Sequence, residues 1–84
     1  MRITYKKQFD KDFKKLPLKI KEQFYERLNL FLQNKFDKIL NNHLVDKAFP
    51  NCRSINVSGD YRAIFQERGD TAIFITIGSH SELY

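Results

Sequence analysis

Polar and apolar positions alternate in the opening "MRITY", and its β-branched and aromatic residues predict a short first strand. The period then changes. In "KKQFDKDFKKL", Phe9, Phe13 and Leu16 recur at helical spacing, with lysines on the other faces. Pro17 marks a fresh start, because the first turn of a helix tolerates a residue without an N–H. Beyond it Ile20, Phe24, Leu28 and Phe31 form one apolar stripe. Two helices hinged near Leu16 and Pro17 should therefore fold back as a hairpin, with the aromatic stripe as core. Residues 33–51, "QNKFDKILNNHLVDKAFPN", sustain no period and are expected to be mostly loop.

Three alternating runs follow, "CRSINV", "YRAIFQE" and "TAIFITI", separated by "SGD" and "RGD". Both separators are compact turn sequences with a glycine, so the runs predict an antiparallel meander, and the RGD triplet reads as a hairpin loop rather than an adhesion motif. With three residues in each loop, Val57 lies opposite Tyr61 and Glu67 opposite Thr71. One face then carries Ile55, Val57, Tyr61, Ala63, Phe65, Ile73, Ile75 and Ile77, and should bury against the helices. The other carries Ser54, Asn56, Arg62, Ile64, Gln66, Ala72, Phe74 and Thr76. It is expected to stay half-open, with Arg62 near its middle and the polar tail after Ile77 closing one end. The predicted object is an α+β fold over residues 1–84, one domain in the order β-α-α-β-β-β, with the helix hairpin on one face of a curved meander.

Composition narrows the classes. Eighty-four residues are too few for a second core. No run approaches the roughly 18 apolar residues of a membrane span, and the N-terminal stretch lacks a signal-peptide apolar core. A cytoplasmic protein without membrane association is expected. A single cysteine, Cys52, excludes an internal disulfide and a multi-cysteine zinc site. The net charge is +5, and it is unevenly spread. Residues 1–42 hold 11 Lys/Arg against 5 Asp/Glu, whereas residues 43–84 hold 4 against 5. A basic first half points to an acidic partner such as RNA, the ribosome or an acidic protein segment.

Candidate chemistry gathers at one end of the meander. A guanidinium on an open sheet face, Arg62, suits phosphate, onto which it forks with two parallel hydrogen bonds. Asp60 sits in the turn just before it. His80 follows the last strand, and in a meander that end lies beside the Ser58–Asp60 turn, so Asp60 and His80 should be neighbours. Cleavage of RNA by its own 2′-OH needs a base, an acid for the leaving 5′-oxygen and a cation for the phosphoryl oxygens. Imidazole, which titrates around 6.5 in model peptides, can serve as either acid or base. No cluster has metal-ligand spacing, and neither a Gly-rich phosphate loop nor a Gly-x-Ser-x-Gly elbow occurs. No cofactor is expected.

The ordered set "LNNHLV", "CRSINVSGDYRAIF" and "IGSHSELY", behind a basic helix hairpin, resembles the RelE/ParE toxin superfamily, nearest its YafQ-like branch. The resemblance spans essentially the whole chain. It implies a RelE-like fold and a type II toxin, monomeric when free and hetero-oligomeric with an antitoxin encoded in the same operon. It also implies cleavage of mRNA in the ribosomal A site, leaving a 2′,3′-cyclic phosphate and a 5′-hydroxyl. His80 matches the histidine of a Gly-Thr-His motif, with Ser79 in place of threonine, and its implied role is proton transfer to the leaving oxygen. Asp60 matches an acidic active-site residue, His43 a histidine before the sheet, and Arg62 the strand arginine that binds the scissile phosphate. Tyr84 falls where the superfamily keeps an aromatic side chain. Arg53, Asn56 and Lys47 are the expected RNA contacts. Two positions depart from the branch: Asn56 replaces a second histidine and Thr76 an arginine. The alternatives are a ParE-like poison of DNA gyrase and a degenerate toxin that only binds its antitoxin and represses their promoter.

Overall fold

Phe9 and Phe13 lie one turn apart on α1 (Lys7–Lys14) and stack with ring centroids 5.6 Å apart. In the computed structural model, which describes Met1 to Tyr84, α1 follows a strand β1 (Arg2–Tyr5) and leads through Leu16 and Pro17 into α2 (Leu18–Gln33). Asp10 in the first turn of α1 and Lys11 and Lys14 in its last oppose the charges of the helix dipole favourably. Pro17 stands just ahead of α2, at its N-cap, with φ −57°. Phe24 of α2 meets both Phe9 (5.3 Å) and Phe13 (5.5 Å), so the two helices close as the expected hairpin. The stripe reads out as intended: Phe24 and Phe31 are buried, and Ile20 and Leu28 pack at the edge of the core.

The rest of the chain builds a five-stranded sheet with β2 (His43–Leu44), β3 (Arg53–Asn56), β4 (Tyr61–Arg68) and β5 (Thr71–Ser79), ending in a single helical turn, α3 (His80–Leu83). The strand order is β1-β5-β4-β3-β2, antiparallel throughout except that β1 runs parallel to β5. The α+β class and the antiparallel meander are as predicted. Two elements were not: β2 lies inside the expected loop, and α3 replaces the polar tail. α3 has a local cause. The Ser79 hydroxyl accepts from the Glu82 N–H (3.3 Å) while the Glu82 carboxylate accepts from the Ser79 N–H (2.8 Å), a reciprocal capping box.

Register is correct in one hairpin and corrected in the other. Val57 N–H donates to Tyr61 C=O (2.9 Å), so the first loop has its three residues, Ser58 to Asp60. The second has two, because Arg68 pairs with Thr71 and Glu67 with Ala72 rather than with Thr71. Gly69 turns the chain with φ 55°, a conformation that glycine adopts without strain. That one-residue slip reverses the faces at the start of β5. Ala72 and Phe74 enter the core, and Ile73 and Ile75, expected there, are only half-buried. The register shifts again after Phe65: Ile64 pairs with Thr76 and Phe65 with Phe74, leaving Ile75 as a bulge. The bulge restores the expected phase, so Ile77 is buried as predicted. Packing favours this arrangement, since Phe74 fills the centre of the core, with Phe24 (5.5 Å), Phe65 (5.4 Å) and Phe9 (5.8 Å) around it.

The second face is less open than expected. Ser54, Ile64 and Thr76 form one row across β3, β4 and β5, and all three are buried. No helix is long and apolar enough to cross a membrane. Cys52 is buried just ahead of β3, and burial, with Asp46 nearby, raises its thiol above the ordinary range.

Candidate functional site

A cavity of about 330 Å³ opens on the face of the sheet opposite the helices, lined by Asn41, His43, Val45, Ser54, Arg62, His80 and Tyr84. Four elements supply it. His43 comes from β2, where it pairs across the sheet with Ser54 of β3. Arg62 comes from β4, and His80 and Tyr84 lie at the two ends of α3. Alternation along the strands sets the choice of face: residues 55, 57, 63 and 65 point into the core, so 54 and 62 point away from it.

Each side chain is positioned by a specific contact. His43 Nδ1 lies 2.7 Å from the Asn41 carbonyl, which can only accept, so Nδ1 carries the proton and Nε2 of the neutral ring is left as an acceptor. Asn41 reaches that position at φ 47°, in the left-handed region that asparagine tolerates better than most residues. Arg62 Nη1 is pinned by the carbonyls of Ser58 (3.0 Å) and Tyr61 (3.0 Å), with Gly59 more distant (3.3 Å). Its Nε and Nη2 make no protein hydrogen bond. The His80 N–H donates to the Asp60 carbonyl (2.9 Å), and the His80 ring packs against Tyr84 at 4.8 Å. Tyr84 also meets Phe49 at 6.2 Å. At the floor, the Ser54 hydroxyl is buried without a hydrogen-bond partner.

Of the residues singled out in the sequence, the cavity gathers His43, Arg62, His80 and Tyr84. Asp60 adjoins His80 through its backbone, but its exposed side chain does not line the cavity. Lys47 lines a shallow neighbouring depression that shares Val45 and Tyr84. Asn56 pairs with Arg62 across the strands, yet its Oδ1 is buried and unpaired outside the lining. Arg53 lies on the other side of the sheet, with Leu44 and Glu67. Thr76 turns to α1, where its hydroxyl donates to Asp12 Oδ2 (2.6 Å). Asn41 and Ser54 belong to the cavity and were not named as site residues. Ser54 was already placed on the correct face by its register; Asn41 had only its place in the quoted "NNH". No group of three or more His, Cys, Asp or Glu could hold a metal ion.

A family model described as "ParE toxin of type II toxin-antitoxin system, parDE" matches residues 3–84. A search of curated proteins found no match. Among solved structures, E. coli YafQ superposes with a TM-score of 0.82 at 21% identity, covering 100% of this chain and 99% of that one. A chain of the E. coli DinJ-YafQ toxin-antitoxin complex gives 0.76 at 22% identity, over 98% and 94% of the two chains. The solution structure of HP0894 from Helicobacter pylori gives 0.69 at 28% identity, over 100% and 99%.

Proposed function

Because the chain belongs to the ParE toxin family of type II toxin–antitoxin systems, we propose that it is a growth-arresting toxin that cleaves mRNA on the ribosome. The observation that carries this is the convergence of two imidazoles, one guanidinium and a terminal tyrosine on a single cavity. These groups supply the base, the acid and the charge stabilisation that cleavage requires, so the chemistry needs no metal.

With its Nδ1–H directed to Asn41, His43 presents Nε2 to take the proton of the ribose 2′-OH. The 2′-oxygen then attacks the adjacent phosphorus. Arg62, anchored through Nη1, offers Nε and Nη2 to the phosphoryl oxygens as negative charge builds on them. As the P–O5′ bond breaks, protonated His80 gives its proton to the leaving oxygen. The products are a 2′,3′-cyclic phosphate and a 5′-hydroxyl. Tyr84 walls the cavity against the His80 ring and suits stacking on a base. Asp60 acts by holding the start of α3 rather than by moving a proton, since its contact is through the backbone carbonyl.

The partner that restrains this activity is a cognate antitoxin, in keeping with the family and with the DinJ-YafQ complex. The basic first half suits an acidic or amphipathic segment. α2 also presents Leu18, Tyr25 and Leu32, seven residues apart and all exposed.

The test is growth on induction of wild type against His80→Ala. Arrest should vanish in the variant while antitoxin binding persists; undiminished arrest would overturn the assignment. Ribosomes programmed with message should show cuts within codons. A gyrase poison has no use for His43 and His80, and would announce itself as DNA damage with the message intact.

A further inference from the structure

On the opposite side of the β2 edge lies a second concavity, of about 300 Å³, lined by Lys35, Phe36, Leu44, Asn51, Arg53 and Glu67. Two large apolar side chains are exposed in it: Phe36 by 59% and Leu44 by 62%. Two cations lie within cation–π reach of the Phe36 ring, Arg53 Cζ and Lys35 Nζ each 5.6 Å from its centroid. Lys35 is partly neutralised by Glu67 at 2.8 Å. Arg53 has no carboxylate partner. Its Nε donates to Asn42 Oδ1 (2.7 Å), and the Asn42 amide donates in turn to the Lys35 carbonyl (2.9 Å). Asn42 thus fixes the guanidinium beside the ring and leaves Nη1 without a protein hydrogen bond.

We propose that this concavity is a second RNA subsite, in which a base flanking the cleaved nucleotide stacks on Phe36 and its phosphate is held by Arg53. The proposal rests on the histidine cavity being the site of RNA cleavage. An exposed aromatic ring beside a preorganised guanidinium is the combination that grips single-stranded nucleic acid without reading its sequence. The topology connects the two sites. His43 and Leu44 are consecutive residues of β2 and point to opposite faces, one pairing with Ser54 of the histidine cavity and the other with Arg53. β2 is the sheet edge and only two residues long, so no further strand separates the faces. A single strand of RNA bent over that edge meets both cavities. The position of Arg53, puzzling for a residue of the cleavage site, follows directly: it holds the neighbouring nucleotide.

The test measures binding apart from cleavage. A fluorescently labelled single-stranded RNA octamer, 2′-O-methylated throughout so that it lacks the attacking hydroxyl, is titrated into wild type, Phe36→Leu, Phe36→Tyr and Arg53→Gln. Phe36→Leu should weaken binding roughly tenfold or more, as expected for loss of one stacked base. Phe36→Tyr should restore it, and Arg53→Gln should weaken it while lowering the salt slope by about one. Thermal melting followed by circular dichroism verifies that each variant is folded. In programmed ribosomes the same Phe36→Leu change should raise KM more than it lowers kcat. Wild-type affinity in folded Phe36→Leu overturns the subsite, as does loss of antitoxin binding with RNA affinity unchanged, which would mark a protein-binding patch. Failure of wild type to cleave any message overturns the cleavage reading instead, and the octamer titration still decides the subsite.

Discussion

His43 reaches its cavity from a strand of two residues, and its usefulness depends on a contact with its own chain two positions back. The Asn41 carbonyl fixes the tautomer and leaves Nε2 as the acceptor. His43→Gln keeps the size and hydrogen-bonding capacity of the side chain but removes the base. Message cleavage by that variant should fall about 10²- to 10⁴-fold, with octamer affinity nearly unchanged. Equal rates for the two proteins would remove His43 from the mechanism. The linear chain already singles out four residues of the cavity lining, His43, Arg62, His80 and Tyr84, because histidine is rare here and arginine on a solvent-facing strand position is conspicuous. Their grouping was visible only where the meander forces it, as for His80 beside the Ser58–Asp60 turn. Arg53 shows the limit. It is expected among the RNA contacts, yet adjacent residues on a strand face opposite ways, so with Ser54 in the histidine cavity Arg53 lies on the other side of the sheet.

α3 is the shortest helix and the element on which the site most depends, since His80 and Tyr84 stand at its two ends. Its Ser-x-x-Glu signature lies in the chain at Ser79 and Glu82, so this turn was legible from the capping pattern alone. Removing the cap with Ser79→Ala should cost about 1 kcal/mol locally. Because α3 is a single turn with no buried residue, cleavage should suffer more than the melting temperature; a fall in both together would make Ser79 a general stability residue. The cap also carries a pH dependence. The Ser79 backbone N–H, and then its side chain, hold the Glu82 carboxyl below its ordinary value. The folded state therefore favours ionised Glu82, and this stabilisation is present above the unfolded-state value of about 4.3 and lost as pH falls through the lower folded value. Following the Ser79 amide by NMR on acidification should show α3 loosening in that window, and Glu82→Gln should abolish the transition. On α2, the exposed row of Leu18, Tyr25 and Leu32 makes a separate prediction. Leu18→Glu with Leu32→Glu should weaken antitoxin binding at least about tenfold without shifting the melting temperature, as loss of a few kilocalories of apolar contact would. Unchanged affinity would move the antitoxin to another surface.

Over the whole molecule, charge and shape divide the work. The positive excess lies in residues 1–42, which form β1, the helix hairpin and the start of the following loop, while the histidine cavity draws on residues 41–84. Association with ribosomes should therefore weaken steeply between low and moderate salt, while cleavage within the bound complex should be far less salt-sensitive. Equal sensitivity of the two steps would place the charge at the chemistry rather than at docking. What the linear chain determined by itself was local: two helices and their buried stripe, four strands including β1, the first hairpin, and the core-facing residues of β3 and β4. Those follow from period and turn chemistry within a few residues of each position. Tertiary structure decided the parallel docking of β1 on β5, the two-residue second turn with its bulge at Ile75, the recruitment of His43 and Leu44 into the sheet edge, and the split between two cavities. Each of these depends on which distant surfaces close on one another. Packing Phe74 among Phe9, Phe24, Phe31 and Phe65 outweighs the locally plausible alternation of Ile73, Ile75 and Ile77.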